Sequence, residues 1–99
     1  MELITETTAG RLLPARRADG HKGDFGKVYV AAGAVGYTGA PVYAAEAASR
    51  TGSGLVFVGV PREVYPIVAA RCATAMAQPL PEDREDLLER MSRCDAAVI

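Results

Sequence analysis

Two short segments of this chain concentrate the residue types that could hold or position a charged group. The first, His21-Lys22-Gly23-Asp24-Phe25-Gly26-Lys27, carries the only histidine. Lys22 or Lys27 could contact a phosphate, and the glycines would let a ligand approach the backbone. The same residues also fit a turn: two glycines and Asp24 aim the chain into the following strand while the charges stay in water. Residue chemistry alone favours the turn. The second segment, Gly33-Ala34-Val35-Gly36-Tyr37-Thr38-Gly39, links a predicted strand to a predicted helix. Unpaired amides at a helix N-terminus, with the local dipole, favour an anionic or strongly polar ligand there.

Neither of the two common nucleotide fingerprints fits this second segment. A dinucleotide-binding turn needs Gly-x-Gly-x-x-Gly, but Val35 stands at the second glycine, and the next strand ends Val58-Gly59-Val60-Pro61 with no acid. A phosphate loop needs Gly-Lys-Ser/Thr where this chain has Gly39-Ala40-Pro41. Two readings remain, a loop that brings a ligand close to the backbone and a tight structural turn. Tyr37 could stack on a ring or pack over the helix start. Thr51-Gly52-Ser53-Gly54 reads as a helix stop and a short connection, on the side away from the ligand crevice expected beyond the carboxyl ends of the strands.

The elements that must position these segments follow from periodicity. Residues 1–26 read as a lead-in, a short helix at most and then a loop. Lys27–Gly33 reads as a buried strand, and Thr38 as the N-cap of a helix with Pro41 in its first turn. That helix is alanine-rich and runs to Gly52, with Glu46 and Arg50 paired on its wet face. Residues 54–60, GLVFVGV, form an apolar run suited to a parallel strand covered on both faces. Beyond Pro61 a helical turn disturbed by Pro66 is expected, then a short strand in TAMAQPL near the sheet edge. PEDREDLLERMSR predicts a surface helix with Leu87, Leu88 and Met91 on one stripe and Asp86–Arg90 and Glu89–Arg93 pairs. Asp95–Ile99 reads as the start of a buried strand that continues beyond the sequence. Alternating strands and helices give a layered α/β fold with a mainly parallel sheet, residues 27–99 forming its βαβ-type core.

Composition narrows the partners. With 49% hydrophobic residues, 23% charged residues and a net charge of -1, nothing points to disorder or to a nucleic-acid partner. No apolar stretch reaches the roughly 18 residues needed to cross a bilayer, and the acidic N-terminus lacks a secretory core. A cytoplasmic protein is expected. Cys72 and Cys94 lack the paired spacing of a metal site and are expected as ordinary buried or half-buried thiols.

Taken in order, HKGDFGKVYVAAGAVGYTGAPVYAAEAASRTGSGLVFVGVP (residues 21–61) resembles the opening of the NAD(P)H-hydrate dehydratases, the carbohydrate-kinase-like family. The likeness rests on His-Lys-Gly, a strand ending Ala-Gly, a Thr-Gly-Ala helix start and Arg-x-Gly-x-Gly-Leu before the second strand. It extends more loosely to the Leu13–Arg16 lead-in and to Asp95–Ile99. Ala34 departs from the family's usual serine, removing a hydroxyl. The resemblance implies a ribokinase-like α/β/α fold two to three times this length, of which residues 1–99 are the N-terminal part. The implied activity is repair of hydrated NADH or NADPH (NADHX, NADPHX) with ATP or ADP and Mg2+, by phosphoryl transfer to the ring hydroxyl and elimination.

Carried over position by position, the resemblance makes Ala40 the foremost substrate contact, flanked by Thr38 and Gly39, with Gly33 in addition. His21 and Lys22 match the motif without an assigned act. It implies no catalytic residue and no metal ligand within residues 1–99, so the fragment alone is expected to be inactive. A homo-oligomer is also implied, and the start at Met1 fits a stand-alone enzyme rather than one fused behind an epimerase domain. The alternatives are a small-alcohol kinase of the same superfold, acting on a vitamin precursor or sugar, and a non-catalytic nucleotide-binding module.

Overall fold

Valines recur at alternate positions of two runs, Val28 and Val30 in the first and Val56, Val58 and Val60 in the second, so each extended run turns a valine face to the same side. In the computed structural model, which describes residues 1–99, these runs are β1 (Lys27–Ala31) and β2 (Leu55–Val60). They pair in parallel with Val28 opposite Val56 and Val30 opposite Val58. A parallel pair requires a crossover, supplied by α2 (Gly39–Arg50). The chain then forms α3 (Tyr65–Arg71) and β3 (Met76–Pro79), and returns through α4 (Arg84–Ser92) to β4 (Ala96–Val98). The sheet order is β3-β2-β1-β4, with every pair parallel.

That order explains the layers. Two crossovers step outward from β1 to β3 and one steps back past β1, so right-handed connections place α2 and α3 on one face and α4 on the other. The principal core lies on the first face, where Val30, Val56, Val58 and Val60 meet Val42 and Ala45 of α2 and Val64 and Val68 at α3. Burying each valine contributes about 1.5 kcal/mol or more. The second face is thinner. Tyr29 is buried there, Phe57 is half-buried, and Arg90 of α4 donates to the Gln78 side chain at 3.0 Å.

The lead-in contains α1 (Glu6–Leu12), capped by the Thr5 hydroxyl and with no buried residue. No helix is long and apolar enough to cross a membrane. The ion pairs Glu46–Arg50, Asp86–Arg90 and Glu89–Arg93 all form.

Several local expectations change. β1 stops at Ala31 rather than Gly33, because Gly33 turns to φ +100°. Pro66 does not disturb α3; it occupies the first turn, where its missing N–H would have had no partner. The 54–60 run is not equally covered on both faces, since α4 alone lies over the second. Leu88 stays 50% exposed while Leu87 and Met91 are half-buried, so the inward stripe is narrower than expected. β4 is exposed rather than buried, having a neighbouring strand only on its β1 side. Residues Lys22–Phe25 form one turn of 3-10 helix within the expected loop.

Candidate functional site

The segment from Gly33 to Ala40 forms a folded ledge at the carboxyl end of β1. Ala32 N–H still bonds to the Gly59 carbonyl (3.1 Å), and the chain turns at the next residue. Gly33 adopts φ +100°, and a Cβ built there would stand 3.2 Å from Pro41 Cγ and 3.6 Å from Val60 Cγ1. Both conformation and space therefore call for glycine. Ala34 to Tyr37 close a four-residue turn: Tyr37 N–H donates to the Ala34 carbonyl (2.9 Å), and Ala34 N–H donates to the Tyr37 carbonyl (3.4 Å). Gly36, with φ +84°, takes the position that needs positive φ in a type II turn.

Thr38 precedes α2, but its backbone is already helical (φ -91°, ψ -14°) and its side chain makes no capping bond. The expected hydroxyl cap is therefore not formed. The first two helical residues, Gly39 and Ala40, have N–H groups with no partner in the chain, and Pro41 has no N–H to satisfy. Two amides thus point from a helix N-terminus, where the partial positive charge favours an anionic or strongly polar group. Gly33, Thr38 and Gly39 are half-buried and Ala40 is exposed. Tyr37 is 73% exposed and does not pack over the helix start.

The ledge lies where the sheet changes direction. From β1 the chain proceeds to β2 on one side, whereas β4 arrives on the other. In open α/β sheets this switch point is where ligands bind, beyond the strands' carboxyl ends.

His21 and Lys22 lie elsewhere. They precede β1, so the five residues of that strand, about 16 Å, separate them from the ledge. His21 N–H donates to the Asp24 carboxylate (2.8 Å), which also pairs with Arg17 (3.2 Å). A Cβ at Gly54 would overlap the Lys22 carbonyl, so that glycine is needed for a close main-chain approach as well as for ending the helix connection. The structure thus gathers Gly33, Tyr37, Thr38, Gly39 and Ala40 at one end of the sheet and leaves His21 and Lys22 at the other.

Three grooves mark the surface, and none is lined by the ledge. One of about 420 Å³ lies between α2 and α3 beside Ser49, Arg71 and Cys72. One of about 350 Å³ lies between the sheet and α4, lined by Lys27, Tyr29, Phe57, Gln78, Arg90 and Cys94 among others. A third, of about 660 Å³, separates the lead-in from Thr51–Ser53 at the amino end. Both cysteines are free and half-buried, with thiols pushed up by burial; Arg71 opposes the shift at Cys72 and Lys27 opposes it at Cys94. Burial likewise raises the Tyr29 hydroxyl, against the pull of Arg90. Gln78 lies close enough to act on that hydroxyl, yet Tyr29 Oη has no partner in hydrogen-bonding geometry.

Two residues that shape the ledge escape a reading of motifs. Pro41 does more than suit a first turn, since its ring fills the space left by Gly33. Tyr43 lies 3.5 Å from a Cβ placed on Gly39, with Arg71 5.9 Å from its ring centroid. The i,i+4 spacing of Gly39 and Tyr43 was the available signal for this contact.

A family model described as NAD(P)H-hydrate dehydratase matches residues 28–99. A bifunctional NAD(P)H-hydrate repair enzyme from Moorella thermoacetica is 39% identical across 98% of this chain, which spans 20% of that protein. An ADP-dependent (S)-NAD(P)H-hydrate dehydratase from Streptococcus pneumoniae is 33% identical across 100% of this chain and 34% of its own length. Among solved structures, a ribokinase-like superfamily protein from Enterococcus faecalis superposes with a TM-score of 0.77 at 26% identity, over 97% of this chain and 34% of that one. The chain therefore spans about a fifth to a third of the length of these relatives.

Proposed function

From the premise that this chain belongs to the NAD(P)H-hydrate dehydratase family, we propose that it serves cofactor repair, the nucleotide-dependent dehydration of hydrated NADH or NADPH. Within that activity, residues 1–99 supply part of the substrate pocket. The observation that carries this role is the pair of unpartnered amides on Gly39 and Ala40 at the sheet's switch point. They would hold and orient a polar or anionic group of the dinucleotide, while Gly33 and Pro41 fix the ledge from beneath. Orientation of this kind lowers a barrier by removing the search for a reactive geometry.

The phosphoryl donor in this reading is ADP or ATP; the pneumococcal relative is named as ADP-dependent. A nucleotide supplies activation of the ring hydroxyl as a leaving group. The residues at the ledge do not fit Mg2+: it carries no acidic side chain, and no cluster of three or more His, Cys, Asp or Glu residues exists in the chain. No step is assigned to a metal here, and no residue of 1–99 is assigned the proton transfer.

The experiment is to incubate the complete protein with hydrated NADH and either ATP or ADP and follow the return of the absorbance of reduced nicotinamide. Recovery supports the proposal. Phosphorylation of a small alcohol without recovery would replace it with the kinase reading.

A further inference from the structure

Among the lysines and arginines of this chain only Lys27 and Arg90 are half-buried; all the others are exposed. Both line the same groove, the one of about 350 Å³ between α4 and the sheet. Taking a cation partly out of water is costly unless an anion compensates it. Arg90 has such an anion in Asp86 at 3.1 Å, as Arg93 has in Glu89. Lys27 forms no ion pair. The nearby Asp95 carboxylate takes its main-chain N–H at 2.8 Å, and no carboxylate lines the groove.

The floor of the groove is aromatic. Tyr29 and Phe57 are register partners on β1 and β2, so their side chains lie side by side on the α4 face. Gly59, two residues beyond Phe57, has no side chain, and the Tyr29 ring extends across it towards Leu80 and Gln78. There Tyr29 is 1% exposed and its Oη has no hydrogen-bond partner. The Gln78 side-chain oxygen accepts from Arg90 Nη1 instead, at 3.0 Å. A buried hydroxyl in that condition costs free energy that an acceptor in the groove would recover.

An uncompensated cation, two rings and an unpartnered hydroxyl therefore line one cleft. Its volume stands at the low end of the range for ligand pockets, about 300–1,000 Å³, which suits one ring and not a dinucleotide.

We propose that this groove binds a single-ring aromatic carboxylate bearing a further acceptor. Its ring lies on Phe57 and Tyr29, its carboxylate is drawn to Lys27, and its acceptor receives the Tyr29 hydroxyl proton in a hydrogen bond. Lys27 and Cys94 place one end of the groove at the amino ends of β1 and β4, away from Gly39 and Ala40. The site is separate from the ledge and does not depend on the cofactor-repair reading. It gives the charge of Lys27 a use that Lys22 lacks.

The test is a chemical-shift titration of the complete, isotope-labelled protein with pyridine-3-carboxylate and with benzoate, which has the same ring size and charge but no ring acceptor. Saturable shifts of the Tyr29 and Phe57 ring signals are expected with both. Lys27→Met keeps the aliphatic stem and should weaken both ligands at least about tenfold, as loss of a charge-assisted contact would. Tyr29→Phe should weaken pyridine-3-carboxylate about tenfold, the effect of one hydrogen bond, and leave benzoate unchanged. No saturable shift at Tyr29 and Phe57 up to about 10 mM, above a millimolar dissociation constant, would overturn the proposal. So would shifts confined to Gly39 and Ala40, or affinities that neither substitution changes.

Discussion

Replacing Gly33 with alanine tests whether the ledge at the end of β1 is held by a fit that only glycine allows. At φ +100° an alanine backbone costs about 1 kcal/mol. Its methyl would also press on Pro41 Cγ at 3.2 Å, with Val60 and the Tyr37 carbonyl behind it. Crowding of this kind brings the total to about 2–3 kcal/mol. Gly36→Ala is the control: it too has positive φ, +84°, but nothing lies within 4 Å of its Cβ, so only about 1 kcal/mol is expected. In thermal unfolding of a chain this size the two variants should melt lower by about 8–24 °C and 4–8 °C respectively. Equal losses would show that the Gly33–Pro41 contact contributes nothing, and the account of how the Gly39 and Ala40 amides are positioned would fail.

Further expectations follow from the same contacts. Gly54→Ala, whose methyl would overlap the Lys22 carbonyl, should cost about 4 kcal/mol in urea unfolding, because main chain and not a flexible side chain must move. Gly59→Ala meets Tyr29 Oη and Leu80 Cδ2, so its cost should fall by about 1 kcal/mol in a Tyr29→Phe background, a coupling that a double-mutant cycle reads directly. Because burial raises Tyr29, the unfolded chain loses its phenolic proton first; stability is intact below about pH 10 and falls as pH rises further. Tyr29→Phe should flatten that part of the alkaline profile. Asp95 accepts from Lys27 N–H at 2.8 Å, so Asp95→Ala should fray β4 and speed exchange at Val98 by about tenfold, as loss of a hydrogen bond worth ~1.4 kcal/mol would.

The chain's periodicity made most of the fold legible before any coordinates. Two valine runs separated by an alanine-rich helix leave little alternative to a βαβ unit, and the i,i+4 pairs of α4 mark its wet face. The misreadings arose where tertiary position overrides local pattern. Pro66 resembles a breaker until its place in the first turn is known, and Asp95–Val98 has the apolar composition of a buried strand although its place beside β1 leaves it exposed. At the ledge, glycine spacing marked a turn, and the reason for Gly33 is a contact with Pro41 eight residues on. The turn favoured for residues 21–27 forms, and Lys22 approaches Gly54 through its carbonyl.

The most direct test of the central claim is amide chemical-shift mapping of the complete, isotope-labelled protein as hydrated NADH is added. The account predicts that the Gly39 and Ala40 amides shift most within residues 1–99, with Gly33 following and His21 and Lys22 unmoved. Shifts centred on His21 and Lys22, with Gly39 and Ala40 unchanged, would contradict it.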